Sequence, residues 1–446
     1  MRPDAGRTRT GQPGHRKSSG PQSAWGAAPR YCLHGFKEGT DVRYPTWLGP
    51  LTIVLLPALV LAGEWTLPKK HGHENACPDA SGKECPDSRD SKKPGYKKDA
   101  CCATPREVTS LKKLNAKLQG RLVDYTYNHG FDRRIFSNSL LDYRDMYVYL
   151  PPNYDRTRLY PIIIYLHGIL QDERGFAEQV APVLDKAIVE GKMPPVIVAA
   201  PDGSLDGNPG KYDPGSFFIN GPAGDYQDWV VKDVWNFMVT HYPIRPEPEA
   251  HILAGISMGG FGAVNIGIKH RDQFRIVVAA LPVLNLRWMN QQGNYHADFD
   301  PYNWGWRNSA YDPEEILGVF YNGWYKVRVK DLIYPVFGAG PNGVYLASQE
   351  NPIEMVDRYC LKKGELDMFI AYAEQDEFNL DAQAESFLYF LKSRGVPATV
   401  YSDPEGTHSA ETANKMMNPI LRWLSYRLRS YRVADPLCYP HAVPMP

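Results

Sequence analysis

The sequence predicts an α/β fold, a mostly parallel central sheet covered by helices on both faces. Runs such as PIIIYLHG from Pro161 and PPVIVAAPDG from Pro194 are continuously apolar and rich in β-branched residues. That pattern marks strands buried on both faces, not strands with one wet face. Helical patterns separate such runs, which is the alternation of a parallel sheet. The rhythm lapses over 284–350 and resumes with MFIAYAEQD from Met368.

A helix is expected from Thr104, where Thr104, Pro105 and Glu107 form a capping box with proline at the first helical position. Val108, Leu111, Leu114 and Leu118 then recur at helical spacing. Residues 121–127 and 133–138 read as edge strands, and RDMYVYLPPNY from Arg144 as a strand stopped by Pro151 and Pro152. The strand from Pro161 follows, then a helix over 173–190 and the strand from Pro194. A helix over 225–241, the strand HILAGIS from His251, a helix over 258–270 and the strand FRIVVAALP from Phe274 complete the first half. After the irregular segment 284–350 come the strand from Met368, a helix over 381–394, the strand PATVYSD from Pro397 and a final helix over 409–430.

Composition sets outer bounds. Apolar residues make up 43%, charged residues 22%, and the formal net charge is +0, the balance of an ordinary globular chain. Without a concentrated basic patch, nothing points to nucleic acid as a partner. Residues 1–62 read as a basic leader followed by a signal peptide, WLGPLTIVLLPALVLAGEW from Trp47. Small residues Val60 and Ala62 favour cleavage before Gly63, so the expected location is outside the cell or in a periplasm, with no stable membrane span afterwards. The competing reading is an uncleaved N-terminal anchor. The basic stretch is long for a leader, and one explanation is initiation nearer Val42.

Residues 63–103 form a polar, Cys-rich linker, 104–430 the main domain with a cap insertion at about 284–350, and 431–446 a C-terminal tail. Cys77, Cys85, Cys101, Cys102, Cys360 and Cys438 remain after cleavage, an even set that suits disulfides of open connectivity. His71 and His73 beside the first four make zinc conceivable, but the spacings fit no zinc pattern.

The segment Gly255-Ile256-Ser257-Met258-Gly259-Gly260 joins an apolar strand to a helix. This is the context of a nucleophile elbow, a turn so tight that the serine takes a strained backbone conformation and projects its hydroxyl above the sheet edge. Gly255 and Gly259 fit because strand and helix approach too closely there for a Cβ. The helix after Ser257 aims free N–H groups at a developing oxyanion. A serine hydroxyl needs a base, and in such sites an acid and a histidine follow in that chain order. Asp376, after the strand from Met368, is the expected acid, with Glu374, Glu377 and Asp381 as competitors; Asp381 reads as the N-cap of the next helix. His408, between a Pro-Gly turn and the last helix, is the expected base, ahead of His241, His270 and His296. The second oxyanion donor, besides the N–H of Met258, is expected at Ile169, after Gly168 permits a tight turn. His167 is read as structural.

YLPPNY, YLHG, GISMGGFGAVNIGIKHRDQF and the EQD…GTH pair together resemble one family of α/β-hydrolases. It groups esterase D (S-formylglutathione hydrolase), feruloyl and other carbohydrate esterases, enterochelin esterases and mycolyltransferases. The resemblance spans roughly 121–428. It implies the α/β-hydrolase fold and ester hydrolysis through a serine-bound acyl intermediate, without metal or organic cofactor. Carried onto this chain, it implies Ser257 as nucleophile, His408 as base, Asp376 as acid, and Met258 and Ile169 as oxyanion donors. The Cys-rich segment and the 284–350 insertion depart from the family and leave the substrate open. An acyltransferase with the same triad is the nearest rival, and a non-catalytic binding module on a hydrolase scaffold the next. The insertion is rich in aromatics, most of which would build its own small core; of the candidate pocket residues Trp288, Trp304, Trp306 and Trp324, at least two are expected to face the pocket and favour aryl or carbohydrate esters.

Overall fold

The computed structural model describes residues 111–205, 214–320 and 325–435. The leader, the cleavage site before Gly63, the helix start at Thr104 and most of the C-terminal tail lie outside those residues. So do the expected disulfide cysteines other than Cys360, which is not a free thiol. Among the described residues no helix is long and apolar enough to cross a membrane.

An eight-stranded sheet carries the domain. In chain order its strands are β1 (Arg121–Tyr125), β2 (Met146–Leu150), β3 (Ile162–Leu166), β4 (Ile197–Pro201), β5 (His251–Ile256), β6 (Ile276–Ala280), β7 (Asp367–Ala373) and β8 (Thr399–Asp403). Their spatial order is β1-β2-β4-β3-β5-β6-β7-β8. Only β2 runs against its neighbours; every pair from β4 to β8 is parallel. The expected strand near 133–138 is instead a short hairpin, Ile135–Ser137 with Asp142–Arg144, outside this sheet.

The helices that matter are α1 (Ala181–Val189), α2 (Trp235–His241), α3 (Met258–Lys269), α4 (Gly340–Glu350), α5 (Pro352–Arg358), α6 (Leu380–Ser393) and α7 (Ala410–Arg427). Strand side chains alternate between two cores. Met146, Val148, Ile162, Ile164 and Leu166 join the layer containing α3 and α6. Tyr147, Tyr149 and Ile163 join the layer containing α1 and α7.

The insertion is more ordered than its sequence suggests. Ile316–Phe320 pairs antiparallel with Tyr325–Arg328, and short helices lead into α4. Its apolar residues, among them Trp288, Tyr295, Tyr311, Val329 and Phe337, pack into the α3/α6 core. The start of the tail is also tied down: Ala434 forms an antiparallel bridge with Leu159.

Candidate active site

The carboxyl ends of adjacent strands converge on Ser257. In parallel α/β sheets this edge is where ligands bind. Ser257 follows β5 and is the N-cap of α3, with φ 54° and ψ −117°. A non-glycine residue pays to sit at positive φ, and the surrounding turn enforces it. A Cβ on Gly255 would lie 2.2 Å from the Gly259 carbonyl oxygen, and one on Gly259 would lie 2.0 Å from that of Leu166. Strand and helix therefore touch through backbone alone. The Ser257 N–H donates to Ala280 O at 2.8 Å, pinning the turn to β6.

β7 and β8 deliver the partners. Their pairing continues beyond the strands, with Glu374 N–H on Asp403 O at 3.0 Å and Gln375 N–H on Gly406 O at 2.9 Å. This holds the two loops side by side, Asp376 in one and His408 in the other. His408 Nε2 lies 3.0 Å from Ser257 Oγ. His408 Nδ1 lies 2.8 Å from Asp376 Oδ2. Asp376 Oδ1 accepts the Phe378 N–H at 2.9 Å, which fixes the carboxylate, and the Phe378 ring lies 5.0 Å from the imidazole. Burial disfavours a charge on His408, but the Asp376 charge and hydrogen bond, with help from Glu377, outweigh it and raise the imidazole above its ordinary value.

The loop after β3 closes the other side. A Cβ on Gly168 would lie 3.5 Å from Ser257 Cβ, so this loop abuts the elbow and brings Ile169 to the pocket. His167 holds it. Its Nε2 accepts the Gly203 N–H at 2.8 Å, which leaves Nδ1 to donate to Gly168 O at 2.8 Å. His167 is thus a structural residue, as its sequence position suggested.

A small pocket of about 40 Å³ opens beside Ser257, His408, Met258 and Ile169. Tyr295, Arg307, Tyr311 and Leu317 enter it from the insertion. The indoles expected there are elsewhere. Trp288 is fully buried and donates its N–H to Tyr295 O at 2.9 Å, because a buried indole N–H needs an acceptor. Trp304 and Trp306 pack edge to face on each other at 5.1 Å, and Trp304 also meets Phe299. None of these lines the pocket; Trp324 lies outside the described residues. The insertion uses Trp288, Trp304 and Trp306 to build its own support and presents Tyr295 and Tyr311 to the site.

One further expectation is corrected. Asn379, not Asp381, is the N-cap of α6, and it sits in the left-handed region at φ 53°. Asparagine tolerates that conformation, and its side chain donates to Tyr295 O and Ala297 O, tying the acid loop to the insertion. Glu377 is not the acid on the imidazole; its Oε2 accepts the backbone N–H of His408 at 2.7 Å. The places of Tyr295 and Arg307 in the pocket left no signal in the sequence.

The family model named Esterase, described as "Putative esterase", matches residues 137–388. The chain belongs to the Esterase family. This esterase is a hydrolase of carboxylic esters and takes small-molecule ester substrates. An acetyl esterase of Caldicellulosiruptor saccharolyticus is 21% identical over 213 residues, 47% of this chain and 68% of that protein. The solved structure of a ferulic acid esterase aligns with TM-score 0.50 and 18% identity, over 70% of this chain and 99% of that one. An S-formylglutathione hydrolase from Agrobacterium tumefaciens aligns with TM-score 0.47 and 16% identity, over 70% and 96%. The mostly parallel sheet flanked by helices, with its alignment to the ferulic acid esterase, is the α/β-hydrolase fold.

Proposed function

We propose that the esterase is a serine hydrolase that works through an acyl-enzyme, with Ser257 as nucleophile, His408 as base and Asp376 as the acid that orients it. The observation that carries this reading is the continuous hydrogen-bonded line from Ser257 Oγ through His408 to Asp376. His408 Nε2 takes the Ser257 proton as Oγ bonds to the ester carbonyl carbon. The N–H groups of Met258 and Ile169 receive the oxyanion. Collapse breaks the bond to the alcohol oxygen, which leaves with the proton held on His408. Water then attacks the acyl-enzyme, giving its proton to His408, and the acid departs as Ser257 recovers its proton. Asp376 keeps the imidazole in the tautomer with Nδ1–H and stabilises its charged form.

The pocket beside the oxyanion donors suits a short acyl group such as acetyl. Its volume of about 40 Å³ is far below the roughly 300–1,000 Å³ of sites that enclose whole ligands. Ser257→Ala should lower turnover of an acetyl ester by about a thousandfold or more with the fold intact. A folded Ser257→Ala protein with wild-type turnover would overturn the assignment.

A further inference from the structure

A second cavity, of about 420 Å³, lies on the opposite face of the sheet and also reaches Ser257, His408 and Ile169. Close-packed interiors leave few voids larger than a water molecule, so a space of this size beside a nucleophile calls for an occupant. Its volume falls within the roughly 300–1,000 Å³ of small-molecule sites. The space exists because the facing side chains are small: Ala254 and Ala280 on the sheet, Ala413 on α7. Phe176, Leu184 and Leu421 form its apolar walls. Exposed Gln179 and Asn414 line it too, and they mark a polar mouth between the segment before α1 and the start of α7.

We propose that this cavity binds an alkyl chain carried by the alcohol of the ester, an inference that rests on the reading of Ser257 as nucleophile. An apolar space with no Asp, Glu, Lys or Arg in its lining selects hydrocarbon over a sugar or an ionised ligand. The alcohol side follows from the chemistry. The small pocket beside Met258 and Ile169 accommodates only a short acyl group. The departing alcohol must lie by His408 Nε2 to receive its proton; His408 borders both spaces, and Ser409 and Ala410, which follow it, line the large cavity and not the small pocket. The preferred substrate is therefore a short-acyl ester of a medium-chain alkyl alcohol.

The test is kcat/KM for ethyl, butyl and octyl acetate beside 4-nitrophenyl acetate, butanoate and octanoate. The acetate series should rise by about fourfold per methylene, the factor that burial of one CH₂ supplies. The aryl alkanoate series should fall once the acyl chain outgrows the small pocket. Ala413→Phe fills the cavity, and the ratio of octyl to ethyl acetate should drop by about tenfold or more. Leu421→Ala widens it and should move the optimum to longer alcohols. An acetate series flat with chain length, or a rise confined to the acyl series, would overturn the inference while leaving the nucleophile in place. Failure of the folded wild-type protein to hydrolyse any of these esters would instead overturn the serine-esterase reading beneath it.

Discussion

In the proposed mechanism His408 governs the pH dependence at the scale of single residues. Only the neutral imidazole can take the Ser257 proton, and the ring here holds its own proton to higher pH than a free histidine. The acid limb of kcat/KM should therefore lie above the ordinary value of about 6.5. Glu377 contributes to that rise and also accepts the His408 backbone N–H. Glu377→Gln keeps an acceptor and removes the charge, so the limb should move to lower pH with the plateau little changed. A limb that stays in place would show that Glu377 exerts no field on the imidazole. Asp381 illustrates the opposite sign. Burial, then the charge of Asp376, pushes its carboxyl up to about 6. The unfolded chain thus ionises first as pH rises, and Asp381 subtracts stability increasingly between about pH 4 and 6, and constantly above. Because the group is only half-buried, solvent screening reduces the effect to about 1 kcal/mol. Asp381→Asn should raise Tm by a few degrees at pH 8 and leave it unchanged at pH 3. A gain confined to acid pH would contradict this account.

Among the elements, the elbow between β5 and α3 is the one that cannot be varied. Its glycines are set by backbone contact, so Gly259→Ala must push α3 away from the loop after Leu166. The expected loss is about 3 kcal/mol or more in denaturant unfolding, with activity lost as well. A Gly259→Ala protein of wild-type stability and turnover would refute the close approach. This element was legible in the sequence because its signals are local: an apolar strand, a glycine-framed serine and a helix, all within one stretch of chain. The partner loops were legible for a similar reason, since each follows a sheet strand within a few residues. The insertion was not. Tyr295 takes its place through its hydroxyl on Phe378 O and through Asn379, 83 and 84 residues away, and no local periodicity encodes such pairings. Indole content alone misled, because a tryptophan is equally suited to a cleft and to a core; for Trp288 the acceptor of its N–H, Tyr295 O, lies in the core.

Across the molecule, one sheet edge gathers loops from β3, β5, β7 and β8 onto Ser257, and a cavity lies on each side of them. The parallel α/β architecture was readable from runs such as Ile162–Leu166, whose residues are buried alternately in both cores. The larger cavity was not readable, since Ala254, Ala280 and Ala413 look like ordinary core alanines until the opposing faces are brought together. In the proposed mechanism the reaction passes through an ester on Ser257. Intact-protein mass spectrometry after rapid acid quench of a reaction with 4-nitrophenyl acetate tests it most directly. The account predicts one added acetyl group, mapped by peptide sequencing to Ser257 and absent from Ser257→Ala. An acetyl group stable on another residue, with Ser257→Ala still turning over the ester at the wild-type rate, would contradict it.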